Sequence, residues 1–148
     1  MKTFRSVFKN KVARKALWIL LIPLVFGAFY LFDFFRARNF SIELIGRTSE
    51  AAVAGDEDVT FTVRLTRGGK PVKGHNLVAI AERGNLFASY RETTDENGEA
   101  VFTYYTVKFM ITEKGDELVT LIHVMDENNS LFVEVNAKLT FEQKLIRG

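Results

Sequence analysis

The chain has 148 residues, a net charge of +2 and no cysteine, and its 14 Phe, 4 Tyr and 1 Trp make it rich in aromatics. A chain this long holds one domain and an anchor but not two cores. The missing cysteine excludes disulfides, thiolate metal sites, cysteine nucleophiles and a bacterial lipoprotein anchor. Up to Arg38 eight basic residues face the single acid Asp33, a net of +7, which leaves −5 for residues 39–148. The basic balance therefore belongs to a membrane flank, and no nucleic-acid partner is expected.

Residues 1–15 read as a basic cytoplasmic tail and 16–35 as a transmembrane helix. From Ala16 to Phe32 there is no charge, and the apolar run resumes beyond Asp33 with Phe34 and Phe35. Such a run spans about 30 Å as a helix, the thickness of a bilayer's hydrocarbon core. Pro23 and Gly27 are tolerated in a membrane span, and Trp18 and Tyr30 sit where aromatic rings favour the interface. Asp33 is expected at the outer edge, reaching water or Arg36. Six basic residues precede the run and only Arg36 and Arg38 follow it, so the N-terminus is expected in the cytoplasm and the remainder in the periplasm or outside the cell. No pair of small residues one and three places before a cut follows the run, so an uncleaved anchor is expected. Lys15-Ala16-Leu17 resembles the leader cleavage site of archaeal type IV pilins, which keeps a pilin-like filament subunit as an alternative.

Residues 36–148 read as one all-β, immunoglobulin-like sandwich. Val59, Phe61, Val63 and Leu65 alternate with Thr60, Thr62, Arg64 and Thr66, the pattern of a strand with one buried face. From Leu131 to Glu142 the same alternation recurs, broken at Phe132. Turn-forming clusters such as Arg67-Gly68-Gly69-Lys70-Pro71 and Asp95-Glu96-Asn97-Gly98 punctuate the interval. About seven strands are expected, near 40–45, 58–67, 76–82, 87–93, 99–109, 117–125 and 130–142.

Gly69-Lys70-Pro71-Val72-Lys73-Gly74, followed by Thr94-Asp95-Glu96-Asn97-Gly98-Glu99-Ala100, resembles the G-x-P-V-x-G and T-D-x-N-G-x-A pair of bacterial Ig-like domains of the invasin and intimin type. Carboxypeptidase regulatory-like and prealbumin-like sandwiches share these motifs. The resemblance covers about residues 50–125 and implies a structural or adhesive module without catalytic residues. A single copy directly behind a membrane span departs from the tandem arrays of that family, because one sandwich reaches only about 40 Å.

Sites for chemistry are sparse. His123 and Met125 lie two apart on one strand face and could present a soft pair to copper, which would suit an oxidase assembly factor; a packing histidine is the plainer reading. Asp56-Glu57-Asp58 and Asp126-Glu127-Asn128 read as solvated turns more readily than as calcium loops. No G-x-S-x-G elbow occurs, and Gly68-Gly69-Lys70 lacks the other Walker positions. No enzymatic activity, cofactor, metal or small-molecule substrate is expected.

The stretch 99–109 is apolar on both sides, with Phe102 and Tyr104 pointing one way and Val101, Tyr105, Val107 and Phe109 the other. Leu118, Ile122 and Val124 likewise oppose Val119, Leu121 and Met125. The second face is either ordinary β propensity or a surface meeting another protein or the membrane. Tyr104, Tyr105, Val107 and Phe109 are the interface candidates, one tyrosine of the pair being inward. The expected role is an accessory or structural subunit of a larger membrane protein complex, in contact with lipid and with integral membrane subunits. A surface adhesin is the alternative.

Overall fold

The computed structural model describes residues 11–108, 117–128, 131–132 and 136–147. One long helix, α1 (Lys11–Ala37), leads into nine strands among these residues: β1 (Phe40–Arg47), β2 (Ala51–Val53), β3 (Val59–Arg67), β4 (Lys70–Pro71), β5 (Asn76–Ala81), β6 (Arg91–Thr93), β7 (Glu99–Tyr104), β8 (Glu117–Asp126) and β9 (Lys138–Ile146). The helix runs through Pro23, and its apolar side chains from Trp18 to Phe35 are exposed along nearly the whole length. It is long and apolar enough to cross a membrane.

The strands form two sheets. In the first, β3 pairs antiparallel with β1 on one side and with β7 on the other, while β4 closes a short hairpin onto its end. The second runs β2-β9-β8-β5-β6, antiparallel except for the parallel pair of β2 with β9. The chain thus leaves one sheet after β1 and joins the other at β2, with a register shift between Leu44 and Gly46. The switch ties the two layers together along one side.

The inward face of β3 anchors the core: Val59, Phe61, Val63 and Leu65 are at most 1% exposed. Phe61 stacks on Phe102 at 5.5 Å and meets Phe141 edge-on at 5.1 Å, so β3, β7 and β9 share one aromatic cluster across the two sheets. Fully burying such a side chain stabilises the fold by about 1.5–3 kcal/mol. Gln143 is the polar exception on β9; its amide nitrogen donates to the carbonyls of Glu50 and Lys144.

The strand pattern differs from the sequence reading in four places. β2 and β4 are too short to show a period. The expected strand 87–93 contracts to β6, because the chain there crosses between sheets: Ala88 N–H bonds Thr103 O beside β7, whereas Ala79 N–H bonds Tyr90 O beside β5. The expected 99–109 ends at Tyr104, since Thr106 turns inward. Finally, 130–142 gives way to β9 at Lys138–Ile146; part of that stretch lies outside the described residues.

The two resemblance motifs are turn hardware at the helix-proximal pole. Asp95 Oδ1 accepts the N–H groups of Asn97 and Glu99 at 2.8 and 2.9 Å, and Gly98 sits at φ +72° while its carbonyl receives Leu65 N–H. Lys73 pairs with Glu96 across the two motifs at 2.8 Å. These contacts set the entry of β7 against β3.

Candidate functional site

β7 runs from the helix-proximal pole, where Glu99 lies opposite Arg64, to the far pole, where Tyr104 lies opposite Val59. Phe102 and Tyr104 face inward, as alternation from the core demands. Tyr104 is fully buried, its ring 5.4 Å from Phe87 and its hydroxyl donating to Arg83 O at 2.8 Å. Burial pushes its phenol pKa above the ordinary 10.0. It is a core residue, so among the interface candidates its neighbour is the accessible one.

Tyr105 is 43% exposed, and its N–H bonds Leu86 O, which sets the exposed Leu86 across from it; Val101 lies further down the same outward side. Val107 is half-buried against the core. Between them Thr106 Oγ1 donates to Glu57 O at 2.7 Å and receives Gly55 N–H at 2.9 Å, turning the chain out of the sheet. Phe109 lies outside the described residues. The far pole therefore presents Tyr105 and Leu86 side by side, while Val101 lies opposite Thr62, nearer the helix-proximal end of the same outward face. On the other sheet Ile80 and Val119 are exposed, with Leu121 and Met125 half-buried beside them.

The metal-ligand candidates are tied into the fold. His123 Nδ1 meets Thr140 Oγ1 at 2.9 Å and its Nε2 faces Glu82 at 3.5 Å. Asp56 pairs with Lys108, Glu57 accepts Val53 N–H, and Asp58 accepts Thr106 N–H. Asp126 is fully buried, holding His75 Nδ1 and Asn128 N–H at 2.9 Å each, and Glu127 pairs with Arg91. Among the described residues no three His, Asp or Glu side chains converge on one point.

A second constellation went unread in the sequence. Asp33, expected to reach water or Arg36, is instead 0% exposed and accepts the N–H groups of Leu131 at 2.9 Å and Phe132 at 2.6 Å. Phe132 stacks on Phe29 at 4.6 Å and meets Phe32 edge-on at 5.9 Å. Leu131 and Phe132, which lie between β8 and β9 in the chain, are thereby latched to the last turns of α1. Beside the latch, Phe34, Ala37, Arg38, Phe40, Asn136 and Ala137 line a shallow cleft of about 170 Å³. Phe40 stacks on His75 at 5.4 Å and carries the Arg67 guanidinium over its ring at 5.2 Å, so aromatic packing continues into the pole of the sandwich. The available signals were a lone acid in an apolar run and the one residue, Phe132, that broke the strand alternation.

No family model and no curated protein matches the sequence. Among solved structures, the chain is similar to the D0-D1 domain of intimin, with 22% identity and a TM-score of 0.51 over 72% of this chain and 49% of that one. It is also similar to a C-terminal 282-residue fragment of intimin in complex with the intimin-binding domain of the translocated intimin receptor, with 25% identity and a TM-score of 0.52 over 71% of this chain and 33% of that one. The D00-D0 domain of intimin gives 12% identity and a TM-score of 0.51 over 70% and 46%. The chain thus spans half or less of the length of each of these three intimin structures. The β domain has the bacterial Ig-like fold of the invasin and intimin type.

Proposed function

We propose that this chain, a bacterial Ig-like sandwich behind an apolar helix, is a non-catalytic accessory subunit that docks beside a larger membrane protein complex. In this reading residues 1–15 are cytoplasmic, α1 spans the membrane, and the sandwich stands on the other side. The observation that carries the reading is the latch from Asp33 to Leu131 and Phe132, which fixes the sandwich on the end of α1. A domain so held presents its far pole at a set height. Along β3 that pole lies about 25 Å from the helix end, counting about 3.3 Å per strand residue. Tyr105 and Leu86 are exposed apolar side chains there, and an exposed tyrosine is of the type enriched among interface anchors. The partner is accordingly a membrane protein with a surface rising to that height.

Purification in mild detergent, with identification of whatever stays bound, tests the proposal. Retention of one integral membrane protein in fixed ratio supports it; a chain that elutes alone argues against it. The second reading is a surface adhesin, favoured by the likeness to an intimin fragment that was solved bound to a receptor domain. Fold likeness alone does not carry function across. An adhesin requires the isolated sandwich to bind a soluble receptor without the helix.

A further inference from the structure

We infer that Leu131 and Phe132 lie in the lipid of the outer leaflet, a second membrane contact beside the helix. The inference rests on the reading that α1 spans a bilayer. Phe29 is one helical turn before Asp33, and a turn rises about 5.4 Å, so the ring stacked on it reaches below the level at which the acid leaves the helix. Phe29, Phe32 and Phe35 are 40%, 51% and 62% exposed, and Leu131 and Phe132 are each 57% exposed. The two side chains thus extend the exposed apolar surface of α1 sideways without joining the core of the sandwich.

The hydrogen bonds point to lipid as the occupant. A non-helical segment entering lipid brings backbone N–H groups that no water can satisfy. Here the N–H groups of Leu131 and Phe132 are both taken by the Asp33 carboxylate, and the acid itself is fully buried. A tip standing in water would need no such partner. A second protein helix is a poorer fit, because helices associate in membranes through small residues and the cluster of Phe29, Phe32 and Phe132 is bulky.

Single-tryptophan forms of the full chain in vesicles of phosphatidylcholine and phosphatidylglycerol, with acyl chains brominated near the headgroup, test the inference. Trp18 is the native reporter of α1, W18F/F132W reports the tip, and W18F/Y105W reports the far pole. The indole introduced by F132W should be blue-shifted and lose roughly half its emission, as expected within the 5–10 Å interfacial layer, while that of Y105W keeps its emission. W18F/L131W repeats the measurement without replacing the ring stacked on Phe29. If both tip indoles stay bright while Trp18 is quenched, the tip lies in water or under protein and the inference is wrong. If Trp18 is also unquenched, α1 does not span the bilayer and the inference falls with that reading.

Discussion

The Asp33 carboxylate on α1 receives two backbone N–H groups, from Leu131 and Phe132, residues 98 and 99 positions further along the chain. An intramolecular hydrogen bond contributes about 0.5–1.5 kcal/mol net, so the pair adds about 2 kcal/mol to the ring stacking that holds the sandwich against the helix. Asp33→Ala should weaken this docking by about 2 kcal/mol and raise amide hydrogen exchange at Leu131 and Phe132, with the sandwich melting temperature unchanged. Asp33→Asn, which keeps one acceptor oxygen, should fall between the two. Unaltered exchange in both variants would show that the latch contributes nothing.

Tyr104 makes stability depend on alkaline pH. Its phenol is held above 10.0 by burial, so the folded state retains the proton where the unfolded chain releases it. Stability from this group is fully present below about pH 10 and is lost as pH rises through the folded-state value. Tyr104→Phe should flatten that alkaline decline, while costing about 1 kcal/mol at neutral pH through the lost bond to Arg83 O. Melting curves of both forms from pH 8 to 11 check the sign, and a decline of equal steepness in both would count against it.

Gly98 tests the turn that the resemblance motif builds. A Cβ added there would lie 2.5 Å from Leu65 O and 2.9 Å from Val72 N, at φ +72°. Both neighbours are backbone atoms, which cannot swing aside as a side chain would. Gly98→Ala should therefore destabilise the domain by about 2 kcal/mol or more, whereas Gly68→Ala, with open space around it, should cost less although φ is also positive. Denaturant midpoints of the two variants give the comparison.

The orientation is checked by protease added to intact spheroplasts. If α1 spans the membrane as proposed, the region after Arg38 should be cleaved and the basic N-terminus protected, the side on which six basic residues before the apolar run place it by the positive-inside rule. Protection of the β domain would reverse the topology.

Legibility in the sequence followed the reach of each interaction. The alternation from Val59 to Leu65 was readable because one whole face of β3 is buried, which writes a period of two into the chain. β2 and β4 left no such trace, at 3 and 2 residues. The split course of 86–93 and the inward turn at Thr106 depend on partners in both sheets, which no local pattern records. The inward member of the tyrosine pair became decidable only through the register of β7 on β3. Asp33 was conspicuous as an acid in an apolar run, but its partners lie 98 and 99 residues further along the chain, so nearby water and Arg36 were the natural assignments.

The proposed docking surface is tested most directly by changing Tyr104 and Tyr105 to Ser one at a time and following both melting temperature and co-purification. Tyr104→Ser removes a buried ring and should cost about 3–5 kcal/mol of stability. Tyr105→Ser should leave the melting temperature nearly unchanged yet weaken partner binding by about 2 kcal/mol, roughly thirtyfold. Release of the partner from an otherwise stable Tyr105→Ser chain is the result this account predicts. Full retention of the partner by that variant, or loss that merely tracks unfolding, would contradict a docking surface at the far pole.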